Sequence, residues 1–314
     1  MSSRPLPSFD ELPLDKSGPP GNAWGLWGKN DELGMLNRIT PATVTAAASE
    51  IKEGVRVSLD WPLDKPSFPA FDRQRFQHEI LNKAPMTMND DAIYINTQSS
   101  TQWDGFRHYG YQGAKMFYNG YGQADFKSGT GPLGINVFAQ KGGITGRGVL
   151  LDWYTWAKRN NIRLSPFQTG AVELPHLKSI IAENDITLRP ADILFIRIGF
   201  TAEYNALSLE QKEAFPDRKP GGLLGLEATR ESLQWLWENQ FAAIASDAAG
   251  FERGPATGSY NDPDVSIHQW CLAGWGLPLG ELFDLEELAE QCQERKRWTF
   301  FLQSMPLKVC YRAS

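Results

Sequence analysis

The stretch Ile193-Leu194-Phe195-Ile196-Arg197-Ile198, preceded by Asp192 and closed by Gly199, decides the fold. It is apolar on nearly every position and too short for a helix, the pattern of a strand buried on both faces of a sheet. Two further runs repeat it: Gly148-Val149-Leu150-Leu151-Asp152-Trp153 and Phe241-Ala242-Ala243-Ile244-Ala245-Ser246. Between them the chain reads as helix. One helix begins near Pro175, and another spans Leu226 to Asn239, where Leu226, Leu233, Leu236 and Trp237 share one face. Strands alternating with helices predict an α/β fold.

Outward from this centre the elements are less regular. Thr40 before Pro41 is an N-cap with proline at the first helical position, so a helix is expected from Pro41 to Lys52, closing on Gly54. Val55, Val57 and Leu59 then alternate like a half-buried strand. Residues 62–90 read as irregular, Ala92 to Thr97 alternates again, and a polar stretch runs from Gln98 to Arg107. Asp284 with Glu287 reads as a capping box opening a helix to about Lys296, followed by a strand-like segment from Trp298 to Val309. The proline-rich residues 1–22 are expected to form an extended N-terminal arm, and residues 23–314 a single domain.

Composition excludes several classes. Across 314 residues, hydrophobic side chains make up 41% and charged ones 22%, an ordinary globular profile. The balance of 31 Lys+Arg against 37 Asp+Glu leaves a net charge of −6, with no basic run to meet a phosphate backbone or an anionic bilayer. No nucleic-acid or membrane partner is expected, and no apolar run is long enough to span a bilayer. The N-terminus lacks the apolar core of a secretory signal. Cys271, Cys292 and Cys310 form no CxxC pair and leave an odd count, as reduced thiols would, so a cytoplasmic location is expected.

Gly129-Thr130-Gly131-Pro132-Leu133-Gly134 matches the dinucleotide fingerprint by letter, but it has no strand before it, and Ile135 to Phe138 after it reads as a strand rather than a helix. GxSxG, HExxH and Walker motifs are absent from the sequence. With only four histidines in the chain, their placement is informative. His78, in a charged stretch, and His176, in the first turn of a helix, read as structural, and Cys271 reads as a small packing residue.

His108 and His268 differ from these. His108 ends the series Gln98, Gln102, Asp104, His108, spaced by four, two and four. In an extended or looped chain this even spacing turns two amide oxygens, a carboxylate and an imidazole to one side, where they can converge on a cation. The same residues could equally satisfy backbone groups of a polar turn. His268 on a helix and Glu281 on a loop beyond the break at Gly274-Trp275-Gly276 could complete a ligand set from the far side.

At these residues the sequence resembles the Putative cyclase family, metal-dependent hydrolases that include kynurenine formamidase, isatin hydrolase and trans-dienelactone hydrolase. The family motif HxGTHxDxPxH aligns on Thr101 and Asp104, with Gln98 and Gln102 in place of its first two histidines, Phe106 in place of its proline, and His108 retained. This is the QxxxQxDxxxH variant, in which Tyr118-Asn119-Gly120 also fits. The resemblance extends to Trp27-Gly28, Asp31-Glu32-Leu33-Gly34, Leu36-Asn37, Arg147 to Asp152, Asp192-Ile193-Leu194, Arg197, Gly199, Asp247, Glu252, His268 and Glu281.

The resemblance implies a compact β/β/α fold, assembly as a homodimer or homotetramer, and one divalent ion per chain held by Gln98, Gln102, Asp104, His268 and Glu281. Amide oxygens in place of imidazoles favour Mn²⁺, with Zn²⁺ retained as a candidate and Mg²⁺ as a further option. His108 is the expected general base and acid, acting with Asp104, because an imidazole exchanges protons near neutral pH. The implied activity is metal-dependent hydrolysis of a small cyclic or conjugated ester, lactone or amide. The aromatic residues Trp103, Phe106, Tyr109, Tyr111, Phe117 and Tyr118 could wall a flat substrate or pack a core, with Trp103, Phe106 and Tyr118 taken as the substrate contacts. The alternatives are a metal-assisted cyclase or dehydratase acting on a small aromatic or polyketide-like metabolite, and a non-catalytic homologue with a weakened metal site.

Overall fold

A computed structural model describes residues 6–129, 131–218, 221–254 and 264–308. Among these residues ten strands lie in chain order: β1 (Gln77–Asn82), β2 (Asn89–Tyr94), β3 (Gln102–Asp104), β4 (Ile144–Asp152), β5 (Gly170–Val172), β6 (Ile193–Arg197), β7 (Leu224–Leu226), β8 (Ala243–Ser246), β9 (Leu279–Glu281) and β10 (Thr299–Ser304). The helices are α1 (Pro41–Ala48), α2 (Asn136–Gln140), α3 (Trp153–Arg159), α4 (Leu174–Glu183), α5 (Phe200–Ala206), α6 (Leu209–Ala214), α7 (Arg230–Glu238) and α8 (Glu286–Arg295), with a π-helical turn at Gln269–Trp275.

The three apolar runs become β4, β6 and β8, adjacent and parallel in a six-stranded mixed sheet of order β10-β4-β6-β8-β9-β3. Strand β9 continues the parallel set, while β10 and β3 pair antiparallel at the two edges. Every residue of β6 and β8 is buried, as continuous apolar strands covered on both faces should be. Helix α1 packs on β4 and β10, and α3 and α4 pack on each other and on this sheet. The architecture is therefore α/β, as the alternation predicted.

Many of the charged positions in the family-like stretches hold this frame together. Arg147 pairs with Asp192 at 2.9 Å, and Arg197 bridges Asp152 at 2.9 Å and Glu286 at 2.6 Å. Asp247, fully buried at the end of β8, accepts the N–H groups of Ile198, Gly199 and Phe200 where α5 begins. Gly34 and Gly276 approach so closely that a Cβ on Gly34 would lie 1.9 Å from the Gly276 carbonyl oxygen, and Met35 N–H donates to that oxygen at 2.7 Å. Both glycines take positive φ, conformations in which side chains are strained.

Several local expectations are corrected. Val55 to Leu59 form no strand; the only pairing there is the bridge of Asp60 to Phe283, and Val55 is left exposed. Residues 62–90 are not wholly irregular, because β1 and β2 form an antiparallel hairpin whose strands are exposed on both faces and so carry no burial pattern to read. Leu226 belongs to β7; the helix begins at Arg230, capped by Thr229, and Leu233, Leu236 and Trp237 form its buried face. Helix α1 ends at Ala48 instead of Lys52. Ile135 to Phe138 enter helix α2, not a strand. The Asp284–Glu287 capping box does not form: Asp284 accepts the N–H of Glu286 instead, and the cap residue is Leu285. The strand after α8 covers Thr299–Ser304, and Val309 and Cys310 lie outside the described residues.

The N-terminal stretch from residue 6 is anchored. Phe9 is buried and stacks on Trp270 at 5.6 Å, and Trp237 Nε1 donates to the Pro7 carbonyl at 2.9 Å. Cys271 and Cys292 are free and buried.

Candidate metal centre

Strand pairing builds the site. The antiparallel register of β3 and β9 sets Gln102 opposite Glu281, and side chains of directly opposed residues lie on one face. Gln102 Nε2 donates to Glu281 Oε2 at 2.8 Å. Asp104, two residues on, points to the same face and is fully buried. Its Oδ1 accepts from Gln98 Nε2 at 2.7 Å. Glu281 therefore sits on a strand, not on the loop expected from sequence.

His268 enters from the start of the π-helical turn. Its Nε2 lies 3.2 Å from Glu281 Oε1 and 3.8 Å from Asp104 Oδ2, while its Nδ1 lies 2.7 Å from Glu252 Oε1. Asp104, His268 and Glu281 each offer one ligand atom, all within 4.8 Å of one another. The ligands of one divalent ion, at bond lengths of about 2.0–2.2 Å, stand roughly 3 Å apart. The His268–Glu281 separation is already of that size, and Asp104 needs only a small closure.

The electrostatics call for a cation. Burial, with the Glu281 carboxylate beside it, pushes Asp104 up to about 6. Burial alone would lower His268, but its hydrogen bonds to Glu252 and Glu281 outweigh that and hold it well above the ordinary range. Two buried oxygens, Asp104 Oδ2 and Gln102 Oε1, have no hydrogen-bond partner among the described residues. Unpaired acceptors at this depth are costly unless a donor or a positive charge meets them. The donor set thus fits a divalent ion at Asp104, His268 and Glu281, with Gln102 Oε1 as a free oxygen nearby.

All five residues expected to hold the ion come together here. Gln98 presents its NH₂ to Asp104, however, not the amide oxygen expected of a ligand. His108 Nε2 stands 3.9 Å from Asp104 Oδ2, beyond hydrogen-bond reach, with its side chain 28% exposed. It lines a cavity of about 1450 Å³ that reaches from β3 to β10, together with Gln98, Gln102, Trp103 and Arg107, whereas Asp104, His268 and Glu281 lie behind this wall.

The three expected substrate contacts separate. Trp103, on the opposite face of β3 from Asp104, packs edge-on against Phe283 at 5.1 Å yet still borders the cavity. Phe106 and Tyr118 are fully buried, 5.1 Å apart, and neither borders that cavity. Phe106 also packs on Phe138, and the Tyr118 hydroxyl donates to Asp31 at 3.1 Å. Both are core residues, and Asn119 beside them ties the Gly25–Asp31 turn in place. His78 bonds to exposed Asp91, and His176 packs tilted against Trp156 at 4.9 Å; neither joins the cluster. The residue that sequence reading left without a role is Glu252, sixteen positions before His268.

The family described as "Putative cyclase" matches residues 39–253. A crystal structure described as a novel cyclase superposes with a TM-score of 0.79 at 29% identity, covering 92% of this chain and 93% of that one. Isatin hydrolase A from Labrenzia aggregata superposes at 0.57 and 14% identity, over 85% of this chain and 93% of its own. The Ralstonia solanacearum isatin hydrolase A does so at 0.56 and 15%, over 86% and 93%. Likeness at those last identities bears on fold alone. No protein of curated function matches the sequence. Among the described residues no helix is long and apolar enough to cross a membrane. With most of the chain matched by the family and the buried Asp-His-Glu cluster in place, the chain belongs to the Putative cyclase family.

Proposed function

We propose that the protein is a metal-dependent hydrolase acting on a small cyclic or conjugated ester, lactone or amide. The observation that carries this reading is the buried Asp104–His268–Glu281 cluster, with the oxygens Asp104 Oδ2 and Gln102 Oε1 unpartnered among the described residues, behind Gln98, Gln102 and His108, which line a cavity. A bound divalent ion would supply Lewis acidity toward a substrate carbonyl and toward water. One imidazole among carboxylate and amide oxygens makes a hard site, favouring Mn²⁺, with Zn²⁺ and Mg²⁺ as competitors.

The protein's own groups divide the remaining work. Gln98 orients the Asp104 carboxylate through Oδ1, leaving Oδ2 for the ion, and Gln102 does the same for Glu281 through Oε2. His108, on the cavity wall beside Asp104, takes a proton from attacking water and returns it to the leaving group.

A second reading, favoured by the family description, is cyclisation or dehydration by the same residues with no water consumed. Mass analysis of products from a panel of lactones, esters and cyclic amides separates the two. Hydrolysis adds one water and stops with chelator, whereas products of unchanged mass, or lighter by one water, overturn it.

We also propose a homo-oligomer. Ile80, Met86, Met88, Ile93 and Tyr94 stand exposed on and around the β1–β2 hairpin, an apolar surface that a second copy would bury.

A further inference from the structure

We propose that Glu252 is a positioning residue for the metal centre, acting through His268. This inference rests on the metal reading of Asp104, His268 and Glu281. Glu252 touches none of the atoms placed to hold the ion. It follows β8 on the chain, and its side chain is 8% exposed.

Its two oxygens are fully committed to the segment that delivers His268. Oε2 accepts the N–H of Ile267 at 2.7 Å. Oε1 accepts the His268 N–H at 2.9 Å and faces His268 Nδ1 at 2.7 Å. Ser266 Oγ adds a longer contact at 3.4 Å. One carboxylate therefore fixes both the backbone from which the imidazole springs and the rotation of its ring. The edge of Tyr109 against that ring, at 5.5 Å between centroids, limits rotation further.

The chemical consequence concerns which nitrogen is offered. With Nδ1–H held by a carboxylate, the neutral tautomer leaves its lone pair on Nε2, the atom facing Glu281 and Asp104. The buried negative charge behind the ring also raises the basicity of Nε2 toward a cation. Carboxylates in this relation to a ligating histidine are worth about 10- to 100-fold in metal affinity. A purely structural cap would need only the backbone N–H contacts, so the Nδ1 contact is the distinguishing feature.

The test uses the full-length protein, stripped by chelation and titrated with Mn²⁺ and with Zn²⁺. Glu252→Gln keeps the shape and one acceptor oxygen, and Glu252→Ala removes both. Affinity is expected to fall about 10- to 100-fold in the Ala variant, with the Gln variant between it and the wild type. Nitrogen-15 NMR of the Zn²⁺-loaded wild type is expected to report His268 bound through Nε2 with Nδ1 protonated, and Glu252→Gln to disturb that signature. Should the Ala variant fail to fold, the isosteric Gln variant and the wild-type spectrum still decide. Affinities of the folded variants within about threefold of wild type, well short of that range, or His268 bound through Nδ1, would overturn the inference. A wild type that takes up neither ion would instead overturn the metal centre, and this inference with it.

Discussion

Replacing Asp104 by Asn should stabilise the metal-free protein at neutral pH and weaken it in the presence of metal. Asp104 is fully buried beside Glu281, and its carboxyl is pushed up to about 6 from an ordinary 3.8. The folded state therefore holds this proton more tightly than the unfolded chain. Below pH 3.8 both states are protonated and nothing is lost; as pH rises toward about 6 the unfolded chain ionises first, and stability falls. The rise from 3.8 to about 6, at 1.36 kcal/mol per pH unit, makes the full penalty about 3 kcal/mol. Urea unfolding in excess chelator, at about pH 4 and about pH 7.5, reads it, because Asn cannot ionise and groups remote from the cluster cancel between variants. The stability of Asp104→Asn relative to wild type should rise by about 2–3 kcal/mol between those two conditions. Added Mn²⁺ or Zn²⁺ should then stabilise the wild type far more than the variant. A wild-type-to-variant gap that is flat with pH, or that moves the other way, would refute the reasoning.

His108→Asn should cost about 10²- to 10⁴-fold in turnover while metal content stays near wild type, since His108 stands beyond bonding reach of Asp104 and lines the cavity. If the variant loses its metal as completely as a ligand variant, His108 is a ligand. Phe106→Ala should lower stability by about 3–5 kcal/mol, read by denaturant unfolding, and leave KM nearly unchanged, because the ring is locked among Tyr118 and Phe138. A large KM change without loss of stability would return Phe106 to the substrate pocket.

The sheet was legible where burial writes itself into sequence. Strands β4, β6 and β8 are covered on both faces, so their residues are apolar without interruption, and their order follows from the helices between them. The β1–β2 hairpin was legible only at one end: the alternation from Ala92 to Thr97 overlaps the last residues of β2, but Gln77–Asn82 and Asn89–Tyr94 bury almost nothing, so no burial pattern marks the rest. Asp284 and Glu287 had the spacing of a cap, but Asp284 turns its oxygen to the Glu286 N–H one residue too early for that geometry.

At the site, even spacing along an edge strand brought Gln102 and Asp104 to one face, the scarcity of histidine drew attention to His268 and with it Glu281, and the resemblance covered both. Two features were out of reach. Which end of the Gln98 amide meets Asp104 depends on a partner six residues away. The role of Glu252 depends on a fold-back of sixteen residues, and no local spacing announces it. The aromatic density around the motif misled in part, because alternation sends Trp103 to the other face of β3, and Phe106 and Tyr118 turn into the core.

Calorimetric titration of the chelated protein with Mn²⁺ and Zn²⁺, on the wild type and on Glu281→Ala, tests the central claim most directly. Glu281 faces both Gln102 and His268 across the cluster, so its loss should remove the site without touching the β6–β8 core. The account predicts one divalent ion per wild-type chain and little or no binding in the variant. A wild type that binds neither ion, or a variant that binds as the wild type does, would contradict it.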